Sequence, residues 1–179
     1  MGLLAHTGHG LDGIWGGLIH PLTGLDHLLA MVAVGILAAV VADRRVAWAT
    51  PAAFVGGMVL GGVLGIAGLG ADLVETTIAV SIVVLGGAIA LSARTAPAGA
   101  WVPLMALGFG AAHGIAHGGE VPIGASPVGF VVGFVVATVA LHLSGVLVGH
   151  TLGRHPAVRT ALAGTVSLAG IAVLVGAPI

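Results

Sequence analysis

Most of the charge in this chain falls in short breaks between long apolar runs, and that pattern restricts it to one solvent. Five arginines, no lysine and six carboxylates are all the formal charge that 179 residues carry, against 58% apolar residues. A soluble domain of this size would carry about a quarter charged residues to solvate its surface. Lipid holds a surface this poor in charge, and water does not. The chain is therefore expected to be an all-α integral membrane protein with the lipid bilayer as its first partner. Glycine at 32 positions fits, because close helix packing in membranes favours small residues.

A transmembrane helix needs about 20 mostly apolar residues. Six such runs are expected: His20–Ala42, Val46–Gly68, Leu73–Ala93, Ala100–His117, Pro127–Gly149 and Ala157–Gly176. Gly57, Gly61 and Gly65 repeat along one face of the second, and Gly129/Gly133 and Gly145/Gly149 do the same in the fifth. Such ridges let backbones approach closely. Arg44, Arg45, Arg94, Arg154 and Arg159 fall after the first, third and fifth runs or just inside the sixth. The positive-inside rule puts those loops in the cytoplasm and both termini outside.

Residues 1–19 form a separate N-terminal segment, extracytoplasmic or interfacial, ahead of a bundle over 20–179. Leu11–Ile19 is apolar and suits a seventh, short helix lying on the outer surface or extending the first span. An outside N-terminus before an out-to-in helix usually needs an export signal, so one is expected ahead of His6.

A carboxylate at the bilayer centre costs about 2.5–3.5 kcal/mol on insertion scales, so polar residues deep in spans need partners. Two clusters stand out. In the first, His20 and His27 are seven residues apart, which on one continuous helix puts them on one face two turns apart, with Pro21 in the first turn. Asp26 beside His27 suits a ligand or a group orienting an imidazole. In the second, His113, His117 and Glu120 fall at i, i+4 and i+7, one stripe if the helix persists. Gly118 and Gly119 offer the other outcome, a helix end that lets Glu120 fold back. The arginine-derived topology brings both clusters to the outer half of the membrane. A shared site of imidazoles and carboxylates is the economical reading, and nitrogen and oxygen ligands suit Ni²⁺, Co²⁺, Zn²⁺, Fe²⁺ or Mn²⁺.

Elsewhere the ordinary readings hold. A single membrane histidine such as His142 or His150 usually makes a helix–helix hydrogen bond, although His142 also suits a later station on a path. Asp72 and Glu75 suit a solvated rim, and Met31 a core methionine. His6 and His9 suit either N-terminal metal capture or a mobile end. With no cysteine there are no disulfides, thiolate zinc sites or iron–sulfur clusters. Net charge near zero gives no basic patch for nucleic acid, and no Walker motif offers an ATP site.

The stretch HPLTGLDHLLAMVAVGILAA resembles the first-helix signature of the HupE/UreJ family of membrane proteins, and AHGIAHGGEVP resembles that family's second signature. LHLSG at 141–145 is similar to the family's fifth helix, and the histidine- and glycine-rich HTGHG to its N-terminal opening. Ala112 stands where the family usually has phenylalanine, a change in packing that leaves the ligands intact. The resemblance implies a secondary permease, not an enzyme, for nickel or cobalt in the inner membrane of a bacterium. It carries metal-related roles onto His20, Asp26, His27, His113, His117 and Glu120. The same histidines suit a membrane metalloenzyme or redox protein with a bound metal or haem, or a metal-binding accessory or sensor protein. Self-association into a homo-oligomer is left open.

Overall fold

The computed structural model describes residues 9–70, 74–92, 99–152 and 155–176, with side chains from Gly13 onward. These residues form seven α-helices and no strand: α1 (His9–Thr23), α2 (Leu25–Val40), α3 (Arg44–Ile66), α4 (Val74–Leu91), α5 (Trp101–Gly119), α6 (Pro127–Thr151) and α7 (Pro156–Leu174). Asp43 caps α3 by accepting from the Arg45 amide at 2.8 Å, so the arginine pair lies inside the first turn of the helix. Ser126 caps α6 in the same way, with Pro127 in the first turn, where its missing N–H costs nothing.

Among the described residues, α3, α4, α6 and α7 are long and apolar enough to cross a membrane, and α1 with α2 makes a fifth span if the bent pair is counted as one. The fourth expected run, α5, falls outside that set. Two histidines and five glycines among its 19 residues dilute its hydropathy.

The first expected run is not one helix. It breaks at Gly24, whose extended backbone ends α1, and α2 leaves at 85°. The Thr23 hydroxyl donates to the His20 carbonyl at 2.7 Å at this end of α1. Pro21 therefore sits near the end of a helix rather than in its first turn. His20 and His27 lie on different helices and do not share a face. The break was hidden because Pro21 suits the first turn of a helix as well as its end, and a glycine within a long run reads as packing as readily as interruption. The helix α1 runs through positions 19 and 20, which the sequence divides.

Glycines set the helix pairs. A Cβ at Gly57, Gly61 or Gly65 of α3 would collide with backbone atoms of Leu107, Ala111 or Ile115 on α5. Gly35 of α2 meets His142, and Gly145 and Gly149 of α6 meet Val32 and Ile36. Gly17 meets Phe130, while Gly133 meets Ile14. Contacts that ascend together on both helices show that α3 runs in the same sense as α5, and that α1 and α2 each cross α6 in the same sense. In α4 and α7 the order reverses, Gly86 facing Ala163 and Gly170 facing Val83, so this pair is antiparallel. Backbone contact this close maximises dispersion where lipid supplies no hydrophobic drive. At the centre is α2, packed against α1, α3, α4, α6 and α7, with Met31, Val34, Ile36 and Leu37 fully buried.

Candidate metal site

The break at Gly24 builds the first half of the site. His20 hangs from the end of α1, while Asp26 and His27 open α2. Asp26 Oδ1 accepts from both the His27 amide (2.9 Å) and His27 Nδ1 (2.7 Å). Any Cβ at position 24 would press to 2.8 Å from both Asp26 Oδ1 and His27 Nδ1, so glycine leaves room for this clasp. With its proton on Nδ1, His27 keeps the lone pair on Nε2.

The second half comes from the end of α5. His113 Nδ1 lies 2.8 Å from the Phe109 carbonyl one turn earlier; a carbonyl only accepts, so Nε2 again carries the lone pair. His117 follows one turn on, and the helix ends at Gly119. Of the two outcomes open in the sequence, Glu120 folds back. Its Oε2 meets His117 Nδ1 at 2.9 Å and His20 Nε2 at 2.8 Å, and those two nitrogens are 2.9 Å apart. Hydrogen bonds to His117, then to His20, outweigh partial burial and hold the Glu120 carboxyl down to about 2. It is therefore a carboxylate at any physiological pH, half-exposed at the end of the bundle.

His20, His117 and Glu120 are the one group of three or more among the described residues whose histidine or carboxylate ligand atoms all lie within 4.8 Å of one another. His27 and His113 stand behind this trio. Ring centroids run 4.7 Å from His20 to His117, 4.3 Å to His27 and 5.2 Å to His113. Phe54 continues the column, 5.2 Å from His113 and 5.3 Å from His142. Among the described residues, the buried Nε2 atoms of His27, His113, His117 and His142 have no hydrogen-bond partner. A buried lone pair without a donor is costly, and those of His27 and His113, on adjacent rings, call for a ligand.

Thus five of the six expected metal residues form one contiguous set of imidazoles and a carboxylate, while Asp26 orients His27. His142 makes the ordinary interhelical bond, from Nδ1 to the Met31 carbonyl at 2.8 Å. Glu75 and His150 are exposed and lie outside the cluster. His6, Asp72 and the side chain of His9 lie outside the described residues. The sequence reading missed the aromatic wall: Phe134 lies 4.4 Å from the His117 ring and Phe130 5.5 Å from His20. All four phenylalanines of the chain serve the histidines, Phe109 through its carbonyl.

Apolar spanning helices around a buried histidine–carboxylate cluster define a multi-pass helical membrane protein with the chemistry of a transition-metal site. The chain belongs to the HupE/UreJ family: the family model described as HupE / UreJ protein matches residues 1–174. A relative, Protein HupE of Rhizobium leguminosarum bv. viciae, is 44% identical over 177 residues, covering 96% of this chain and 90% of that protein. No solved structure matches the chain.

Proposed function

We propose that this protein is a secondary transporter that takes up a divalent transition-metal ion, nickel or cobalt, through the histidine–carboxylate site in the outer half of the membrane. The observation that carries this reading is the trio itself. Three donor atoms from helices a hundred residues apart converge within 2.8–2.9 Å. Nitrogen and oxygen donors of this kind suit Ni²⁺ or Co²⁺.

Capture starts at half-exposed Glu120 and His20, and the ion exchanges water for imidazole as it moves to His117, His27 and His113. A broken helix beside the site is a recurring way to expose binding groups at depth in transporters. The proposed topology has six spans, α1 and α2 together making the first, with the N-terminus outside and the arginines in the cytoplasm of a bacterium. Pair directions support it: helices two or four apart in the order α2 to α7 run parallel, and α4 and α7, three apart, run antiparallel, as strict alternation requires. The N-terminal end then lies outside, with His6 and His9 as a first point of capture. Membrane potential favours inward movement of two positive charges.

Uptake of Ni²⁺ and Co²⁺ by proteoliposomes tests the proposal. Flux is expected from the wild-type chain and its loss in a His117→Ala, Glu120→Gln variant. Metal bound without flux would instead favour an accessory or sensor role, and unchanged flux in the variant would dismiss the site.

A further inference from the structure

Resting on the transport reading above, we infer a second, inner station for the ion at His142, reached past Thr138, Met31 and Met58 and opening into a cavity at the arginine-bearing end of the bundle. His142 is only 3% exposed. Its Nδ1 proton is committed to the Met31 carbonyl, so the unpartnered Nε2 offers a lone pair. The residue lines a cavity of about 820 Å³ between the end of α2, the start of α3 and the second half of α6, with Arg44 and His150 at its margin. Phe134, which packs on His117, is two turns back along α6, so His142 lies about 12 Å deeper than the outer site.

Thr138, one turn before His142, shows what lies between. A helical threonine ordinarily returns its hydroxyl to its own helix, as buried Thr50 does to Val46 and exposed Thr151 to Leu147. The Thr138 hydroxyl faces the sulfurs of Met31 and Met58 instead, 3.5 Å from each. All three side chains are buried. Met58 also lines a cavity of about 20 Å³ beside His117, room for one water-sized species. The thioethers thus lie between the outer imidazoles and His142 beside the Phe54 ring, which packs against both His113 and His142.

The chemistry suits passage rather than storage. Thioether sulfur and a neutral hydroxyl are weak ligands for a divalent first-row ion, and an ion must leave each station as readily as it enters. Beyond His142 the cavity wall holds Ala47 and Pro51. Proline has no N–H to give the Ala47 carbonyl, which leaves that oxygen without its helical donor.

The chain has no cysteine, so a single Val55→Cys on the cavity wall gives an unambiguous probe. A charged, membrane-impermeant maleimide should label it from the arginine-bearing face and not from the opposite face. Labelling by a lipid-soluble maleimide alone would show an acyl-chain crevice and overturn the proposal. His142→Asn keeps a donor for the Met31 carbonyl and removes only Nε2; Met31→Leu with Met58→Leu preserves volume. A Ni²⁺ titration of the purified wild-type protein should show a second, weaker binding step that H142N lacks, and a single wild-type step would overturn the station even if the protein moves no metal. In proteoliposomes both variants should slow uptake at least tenfold; uptake at the wild-type rate would overturn it as well.

Discussion

His20 Nε2 lies 2.8 Å from Glu120 Oε2, although the first residue ends α1 and the second follows the end of α5. Two helix ends meet there, and the meeting makes a cluster of ionisable groups affordable in an apolar bundle. Each imidazole brings a partner for the carboxylate, and the carboxylate brings the charge that a cation needs.

Glu120→Gln keeps the shape of the side chain and removes the charge. Ni²⁺ affinity should fall at least tenfold, measured by equilibrium dialysis, while the helical circular dichroism stays unchanged. Retained affinity would show that Glu120 only caps α5.

Asp26→Asn separates orienting from ligating. Asp26 holds the His27 ring through a 2.7 Å bond and is not among the converging donors. Loss of such a supporting bond usually costs about 10–100-fold in metal affinity. The variant should fall within that range. A collapse as deep as that of His117→Ala would make Asp26 a ligand.

Acid should weaken capture. Protons compete with the metal for the imidazole nitrogens, and an imidazole ordinarily titrates near about 6.5. Glu120, held down to about 2, stays ionised throughout and adds nothing to the dependence above about pH 3. Ni²⁺ affinity should therefore fall as pH is lowered into the acid range, because a protonated imidazole cannot bind the ion. A profile that stays flat from pH 8 down to about pH 3.5 would exclude the imidazoles.

Packing gives a contrast between two glycines on α5. A Cβ at Gly114 would overlap the Met58 carbonyl oxygen and approach the Gly62 nitrogen at 2.6 Å. Neither is a flexible side-chain end, so Gly114→Ala must push α3 and α5 apart. The expected cost is about 3 kcal/mol, at the upper end of overpacking, read as a lowered melting temperature in detergent. Gly108 has nothing within 4 Å of an added Cβ, and Gly108→Ala should melt at or above the wild-type temperature.

The sequence already carried the solvent, most of the helix positions and both histidine clusters. Apolar run length and charge placement are local properties, and an ionisable residue inside an apolar run announces itself by its cost. The break at Gly24 was illegible because the polar stretch from His20 to His27 around it suits a ligand cluster on one continuous helix as well as a turn. Phe130 and Phe134 carry no signal of their own in an apolar helix; only α1 lying along α6 turns them into the wall behind His20 and His117.

By itself, then, the sequence determined that this chain is a set of lipid-embedded helices whose polar residues are too costly to be idle. It named His20, His27, His113, His117 and Glu120, because burial energy depends on residue type and depth. Only the tertiary structure decided how they act. Which nitrogen keeps its lone pair depends on the carbonyl or carboxylate opposite the other, as Phe109 does for His113, Met31 for His142 and Asp26 for His27. Those partners are set by helix packing and a bend, and distances between helices are written in no single segment of the chain.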